Sequence, residues 1–254
     1  MTHRSKKTIT KGMILAAGEG TRMQPLTLKR PKPMLPLGKQ PMLSYSLAWL
    51  RYYGIRQIAV NLYHCPQVVI DYFGDGSGFG VQIRYSLEET MLGTAGGVKR
   101  LSYFFDDTFV LLYGDVLTDF DLGALMNFHF AKPSSPHLSL SLYHVANSWE
   151  CGIVSLDGMG KVLHFIEKPP RETISSDLAF AGVLIMDHAL LDYIPANIFY
   201  DFGRDLIPNL IRLGIPIYGW PLPDNSYLID IGTPEKYLRV QQDWPTQRSR
   251  RFLQ

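Results

Sequence analysis

The sequence predicts an α/β fold with a central mixed, mostly parallel sheet and helices on both faces. Strand-type and helix-type segments alternate from residue 12 to about 131, the pattern of βα units. The run Phe109-Val-Leu-Leu-Tyr113 is wholly apolar and β-rich, as a strand buried on both faces should be. Beyond residue 131, strand-type segments follow one another with few helices between them, so the sheet is mixed rather than uniformly parallel.

In chain order, residues 12–17 form an apolar run stopped by a Gly-rich turn, which reads as a buried strand. Residues 41–53 carry apolar side chains at helical spacing and stop at Gly54. Residues 57–63 are strand-like, and 66–73 are helical up to the turn cluster Gly74-Asp-Gly-Ser-Gly78. A strand at 81–87, a helix at 95–104 and the β-rich run at 108–113 complete the first half. In the second half, strands are expected at 137–144, 152–156, 161–166 and 179–186, then helices at 188–193 and 205–213. Strands at 215–220 and 227–229 precede a closing helix at 234–244, with Pro234 in its first turn. One continuous domain is expected over 11–245, between a loose tail at 1–10 and a basic tail at 246–254.

Composition narrows the function classes. The chain has 254 residues, 46% hydrophobic and 19% charged, ordinary globular values that exclude a disordered chain. A formal net charge of +2 is too mild to imply nucleic-acid binding by charge. Apolar runs stay short of the roughly 18 residues a membrane span needs. The polar, basic start lacks the apolar stretch of a secretory signal. The two cysteines, Cys65 and Cys151, lack C-x-x-C spacing, and the seven histidines, His64 and His144 among them, show no metal-ligand spacing. A cytoplasmic protein with reduced, packing cysteines is expected. The aromatic residues Tyr52, Tyr53, Tyr72, Phe73, Phe104 and Phe105 sit at expected helix ends and read as core.

Chemistry concentrates in Leu15-Ala-Ala-Gly18-Glu-Gly20-Thr-Arg22, directly after the first strand. Small residues let backbone approach a ligand closely, and successive amides in such a turn form an anion-binding concavity. Arg22 adds a bidentate cation. Downstream, Pro31-Lys32-Pro33 sets a lysine on stiff, extended backbone. Two cations on one rigid loop suit a polyphosphate. Met23 occupies the place of the third glycine of a dinucleotide fingerprint, and no G-K-[ST] follows, so neither that motif nor a P-loop is present. Further on, Gly114 and Asp115 close the apolar run. An aspartate at the end of a parallel strand lies where open α/β sheets bind ligands, and a hard carboxylate there suits magnesium.

These strings resemble the signature of the nucleoside diphosphate sugar pyrophosphorylases, which are sugar-1-phosphate nucleotidyltransferases: G-x-G-T-R followed by P-K-P. The resemblance runs over roughly 11–244 and includes Phe165-Ile-Glu-Lys-Pro169 and Leu228-Ile-Asp-Ile-Gly-Thr-Pro-Glu235. It is nearest to mannose-1-phosphate guanylyltransferases that lack a C-terminal β-helix; no hexapeptide repeat follows residue 244. It implies the Rossmann-like nucleotide-diphospho-sugar transferase fold, with a nucleotide half over about 11–131 and a sugar-phosphate half over about 132–245.

The resemblance also assigns roles. Arg22 and Lys32 are the implied catalytic cations, facing the leaving pyrophosphate. Leu15, Ala16, Ala17, Gly18, Gly20, Thr21, Glu88, Gly93 and Gly114 fall at nucleotide-binding positions. Asp115 and Asp230 fall at the magnesium ligands. Gly152, Glu167, Lys168 and Gly182 fall at positions that hold the sugar phosphate. Glu88 stands where the family reads the base, and an acceptor-only carboxylate matches the adjacent donors of guanine; Glu89 is the alternative reader. Cys151 and Leu184 replace the usual tyrosines, and Phe180 the usual asparagine. These departures are expected in the sugar pocket and leave the sugar's identity open.

The implied reaction joins GTP and a hexose 1-phosphate, mannose 1-phosphate first, into a GDP-sugar and pyrophosphate, with magnesium as cofactor. Other pairs remain open: heptose or glucose 1-phosphate, with UTP, dTTP or ATP. So do a non-catalytic regulatory subunit that binds a sugar nucleotide, and self-association. A nicotinamide-dependent oxidoreductase fits poorly, because the glycine fingerprint is incomplete.

Overall fold

The computed structural model describes residues 8–133, 135–173 and 176–244. Its first half runs β1 (Lys11–Leu15), β2 (Pro36–Leu37), β3 (Gln40–Pro41), α1 (Met42–Tyr52), β4 (Gln57–Leu62), α2 (Pro66–Phe73), β5 (Gln82–Leu87), α3 (Gly93–Arg100), β6 (Phe109–Tyr113), β7 (Val116–Thr118) and α4 (Leu122–Phe130). The second half runs β8 (Leu138–His144), β9 (Gly152–Leu156), β10 (Val162–Glu167), β11 (Leu178–Met186), α5 (Ile207–Arg212), β12 (Ile217–Pro221), β13 (Leu228–Asp230) and α6 (Pro234–Asp243).

Nine strands form the central mixed sheet, with the path β10-β9-β11-β6-β1-β4-β5; β8 pairs with β11, and β12 with β8. The heart of the sheet, β6-β1-β4-β5, is parallel, while β11 joins β6 antiparallel. Alternate side chains feed two cores. Val110 and Leu112 pack with Leu43, Leu47 and Leu50 of α1, Val69 of α2 and Leu122 and Leu125 of α4. Phe109 and Leu111 pack with Ala95 and Val98 of α3 and Ile207 and Leu210 of α5. Both faces of the central strands are therefore covered, which explains their unbroken apolar runs.

The crossovers position the site. The chain leaves β1 through α1 to β4 and continues through α2 to β5. It then returns by α3, on the opposite face, to β6 on the other side of β1. Connections from β1 and β6 thus diverge, which opens a crevice at the ends of these strands. A third cluster, Met23, Leu35, Leu37, Met42, Leu117, Ile231, Tyr237 and Val240, ties the 21–42 segment to α6 over the antiparallel pair β7–β13. No helix among the described residues is long and apolar enough to cross a membrane.

Several boundaries differ from expectation. The loose tail does not reach residue 10: Ile9 is 3% exposed within the core, and the Thr10 carbonyl accepts from the amides of Arg56 and Gln57. Residues 1–7 and the basic 246–254 tail lie outside the described residues. The expected 95–104 helix ends at Arg100 and is followed by a separate 3-10 turn, Ser102–Phe104. His188–Tyr193 is 3-10 helix, and the 205–213 segment begins earlier, as a π-helical turn Phe202–Leu206 capped by Asp201. Of the aromatic set, Phe73 and Phe105 are core, but Tyr52 and Tyr72 are exposed, because they fall on the outward side of their helices.

At the sheet end opposite the crevice, Asp187 follows β11 and gathers donors from several segments. Thr108 Oγ1 (2.7 Å), the His137 amide (2.9 Å) and Ser135 Oγ (3.2 Å) donate to it. His129 Nε2 lies 3.2 Å from its Oδ1, and the His129 ring stacks on His137 with centroids 4.0 Å apart. Burial pushes the Asp187 carboxyl up, but the bonds from His129, His137 and Thr108 outweigh it and hold the group well below the usual carboxylate range. A depressed folded value means that this stabilisation is complete above the ordinary Asp pKa of about 3.9 and is lost only as pH falls through the folded value. Asp187→Ala strands buried donors; a loss of roughly 3 kcal/mol should lower the melting temperature by about 6–12 °C near neutral pH. Thermal melts across pH check this, with the gap to wild type narrowing only below about pH 4. An unchanged melting temperature would remove the assigned role.

Candidate active site

A cavity of about 380 Å³ opens at the ends of β1 and β6, within the range of small-ligand pockets. Leu15, Ala16, Ala17 and Gly18 line one wall, Glu88 and Gly93 a second, and Lys32 and Asp115 a third. The structure thus gathers eight residues singled out from sequence around one space.

The first wall is fixed by backbone. The Ala16 amide donates to Asn61 Oδ1 at 2.9 Å, and the Leu15 carbonyl accepts from the Gly114 amide at 2.9 Å. A Cβ on Gly114 would lie 2.7 Å from that carbonyl, so only glycine lets the ends of β1 and β6 approach this closely. Gly114 therefore serves strand contact, and the cavity begins beside it. Gly18 faces open space, as a ligand-approach glycine should. Gly20 takes a left-handed φ of 65°, and Thr27 Oγ1 bonds its carbonyl at 2.8 Å. Thr21 and Arg22 follow in a single 3-10 turn anchored by buried Met23. Arg22 itself is exposed and lies against Gly232, beside Asp230, rather than in the cavity.

Lys32 begins a 3-10 turn after extended Pro31, and its ammonium pairs with Asp115 Oδ2 at 2.8 Å. The Asp115 carbonyl accepts from the Ile231 amide at 2.9 Å, and Val116 pairs with Asp230 in the β7–β13 ladder. Two aspartates distant in sequence are thereby set on neighbouring backbone. Asp230 accepts from the Gly232 amide at 3.0 Å and pairs with Lys236. Each carboxylate thus already carries one positive partner. The two carboxylates themselves are hard oxygen donors of the kind a divalent ion takes.

On the second wall, Glu88 is 7% exposed, and both of its oxygens are engaged: Asn61 Nδ2 donates at 2.8 Å and the Leu92 amide at 3.0 Å. It buttresses the loop as well as facing the cavity, while Glu89 is exposed. Gly93 lines the cavity and also meets a demand of the chain itself. Its φ is +74°, and a Cβ there would lie 2.7 Å from the Tyr200 carbonyl, which accepts from the amides of Ala95 and Gly96. The close neighbour is the chain's own 198–201 segment, which caps α3.

The sugar-phosphate candidates gather beside the cavity. Glu167 lies between Gly152 and Gly203: a Cβ on either glycine would come within 2.9 Å of Glu167 Oε2. Burial, then the Asp201 charge, push its carboxyl up, while Lys168 and Arg204 oppose. Lys168 sits in left-handed backbone, φ 51°, unusual for a lysine and a form of strain that concentrates at functional sites. Its amide bonds the Cys151 carbonyl at 3.0 Å. Gly182 marks an irregularity in the β11–β8 register, with φ +77°. A Cβ there would lie 2.6 Å from Val116 Cγ2, so Gly182 clears space for the residue after Asp115. Leu184 is fully buried: it lies on the same side of β11 as Phe180 and Met186 and packs in the second core. Phe180 packs edge-on against Tyr113. Burial raises the Cys151 thiol pKa, consistent with a packing role.

Sequence reading missed Asn61, Met91, Thr94, Tyr113, Phe199 and Asp201, which also line the cavity. Thr94 Oγ1 donates to Asp201 Oδ2 at 2.7 Å and so joins the two halves across the site. Met91, Thr94 and Tyr113 lie next to residues that the sequence singles out, whereas no local motif marks Asn61, Phe199 and Asp201, which long-range packing brings in.

Comparison with known proteins identifies the family. The family model described as nucleotidyl transferase matches residues 11–247. A UTP–glucose-1-phosphate uridylyltransferase from Synechocystis is 40% identical over 239 residues, 89% of this chain and 61% of that protein. A mannose-1-phosphate guanylyltransferase from Mycobacterium tuberculosis is 36% identical over 236 residues, 91% of this chain and 63% of that protein. The chain therefore spans a little over three fifths of the length of both relatives. The solved structure of UDP-glucose pyrophosphorylase complexed with UDP-glucose superposes with a TM-score of 0.81 at 19% identity, covering 95% of this chain and all of that one, and so shares the fold. The motifs, the fold and the family match together place this chain in the nucleotidyl transferase family.

Proposed function

We propose that the chain transfers a nucleotidyl group from a nucleoside triphosphate to a sugar 1-phosphate, giving a nucleoside diphosphate sugar and pyrophosphate. The observation that carries this reading is the Lys32–Asp115 pair at the mouth of a cavity floored by the Gly18 turn, with Lys168 and Glu167 beside it. One region thus offers cations for a polyphosphate, a carboxylate pair for a divalent ion, and an ammonium with a carboxylate for a phosphorylated sugar.

A phosphate oxygen of the sugar 1-phosphate attacks the α-phosphorus in line. A new P–O bond forms, the bond to the β-phosphate oxygen breaks, and pyrophosphate leaves. Backbone at Leu15 to Gly18 holds the nucleotide. Lys32 and Arg22 neutralise charge on the leaving pyrophosphate. Lys168, with no ion-pair partner among the described residues, holds the sugar phosphate, and Glu167 accepts from a sugar hydroxyl. Asp115 and Asp230 would hold magnesium, which when bound supplies further neutralisation of phosphate charge. Catalysis is then positioning and electrostatics.

For the substrate pair we favour GTP and mannose 1-phosphate. Glu88 faces the cavity, and a carboxylate has about four acceptor sites, so the bonds from Asn61 and Leu92 leave capacity for the adjacent donors of guanine. The 40% identical relative favours a second pair, UTP and glucose 1-phosphate. Magnesium-dependent pyrophosphate release, measured for GTP, UTP, dTTP, ATP and CTP against mannose, glucose and heptose 1-phosphates, decides between them. Release with GTP and mannose 1-phosphate alone supports the first pair, and release with UTP alone overturns it. Silence from folded protein across the panel contradicts the reaction and favours a non-catalytic sugar-nucleotide binder.

Arg22→Ala should lower turnover by at least about 100-fold with an unchanged melting temperature, the usual cost of losing one such electrostatic contact. A folded variant with a near-normal rate would remove Arg22 from the site. Asp115→Asn should abolish the magnesium dependence of the rate; a magnesium titration identical to wild type would refute the ligand role.

A further inference from the structure

Lys236 stands where helix electrostatics disfavour a lysine. Thr233 caps α6, its hydroxyl accepting from the Lys236 amide at 3.4 Å, so Lys236 occupies the third position of the helix. The positive end of the helix dipole favours acidic residues there, and a capping box would place Glu or Gln at this position. A local rule broken in this way calls for a compensating contact. That contact is Asp230, whose Oδ2 holds the Lys236 ammonium while Oδ1 accepts from the Gly232 amide. Both side chains of the pair remain part-exposed, 40% and 37%, so a solvent-borne cation can reach them.

The arrangement repeats on the other carboxylate, where Lys32 holds Asp115. Without ligands, the two candidate metal ligands thus carry two negative charges and two ammonium partners. A divalent ion entering this set meets carboxylates that are already neutralised, and two like charges at close range. A triphosphate changes the balance, because its oxygens offer the displaced ammoniums new partners.

We propose that Lys236 is a built-in competitor of the divalent ion for Asp230: it keeps this arm of the site closed to free metal and yields it when phosphate arrives. This rests on the assignment of Asp115 and Asp230 as metal ligands. Lys236 is accordingly a positioning residue that tunes metal loading.

The test is Mn²⁺ binding to nucleotide-free protein, followed by loss of the free-ion electron paramagnetic resonance signal. Lys236→Met should bind Mn²⁺ on the order of tenfold more tightly than wild type. Lys236→Arg, which restores a cation, should return affinity toward the wild-type value. Asp230→Asn should bind weakly, and adding Lys236→Met to it should give no gain. Equal affinity in wild type and Lys236→Met, with Asp230→Asn still weakened, overturns the competitor role and leaves the metal assignment standing. Mn²⁺ binding indifferent to both Asp115→Asn and Asp230→Asn overturns the metal assignment and this inference with it. Melting temperatures of all variants exclude misfolding as the cause.

Discussion

The site depends on how closely the ends of β1 and β6 approach. The Gly114 amide reaches the Leu15 carbonyl at 2.9 Å, and no side chain can stand between them. That contact fixes the next residue, Asp115, at the strand end. From there its carboxylate reaches Lys32, and its carbonyl reaches Ile231. Three distant segments, the Pro31-Lys32-Pro33 turn, β6 and the loop after β13, are thereby fastened at one residue. The third apolar cluster, with Met23 and Leu35 on one side and Ile231 and Tyr237 on the other, supports the same junction from below.

Around that junction positive groups are matched with carboxylates. Lys32 answers Asp115, Lys236 answers Asp230, and Arg22 lies beside Gly232. The exception is the Glu167 region, where a half-buried carboxylate near Asp201 has its pKa raised by burial and by that like charge. The contrast is informative. A carboxylate held by an ammonium already has its charge matched. A carboxylate in a desolvated place, without a hydrogen-bond donor among the described residues, is ready for a neutral donor such as a hydroxyl. Under the proposed function these two environments are the phosphate side and the sugar side.

Much of this was legible in the sequence because the parallel core leaves strong local signatures. Continuous apolar runs marked β1 and β6, and Gly54 and Gly74 marked helix ends. What escaped lacked such signals. Helix α4 (LGALMNFHF) is apolar nearly all round, so no single face stood out. Strand β7 has three residues, too short for a period, although its pairing with β13 is what brings Asp230 to Asp115. Several glycines carry a structural cause that spacing alone does not show. Gly93, Gly114 and Gly182 clear space for the chain's own Tyr200, Leu15 and Val116, whereas Gly18 alone of these four faces open space. The cavity-lining residues from the second half, Phe199 and Asp201, are set by packing across the sheet and leave no spacing to read.

The proposed reaction is a single direct displacement between two bound substrates, with the protein supplying position and charge. The stereochemical course at phosphorus tests it most directly. A nucleoside 5′-(1-thiotriphosphate) of one configuration at the α-phosphorus would be the donor, and the configuration of the nucleoside diphosphate sugar formed from it would be read by ³¹P nuclear magnetic resonance. One in-line step predicts inversion. Retention would require two successive displacements and a nucleophile from the protein, and would contradict the account.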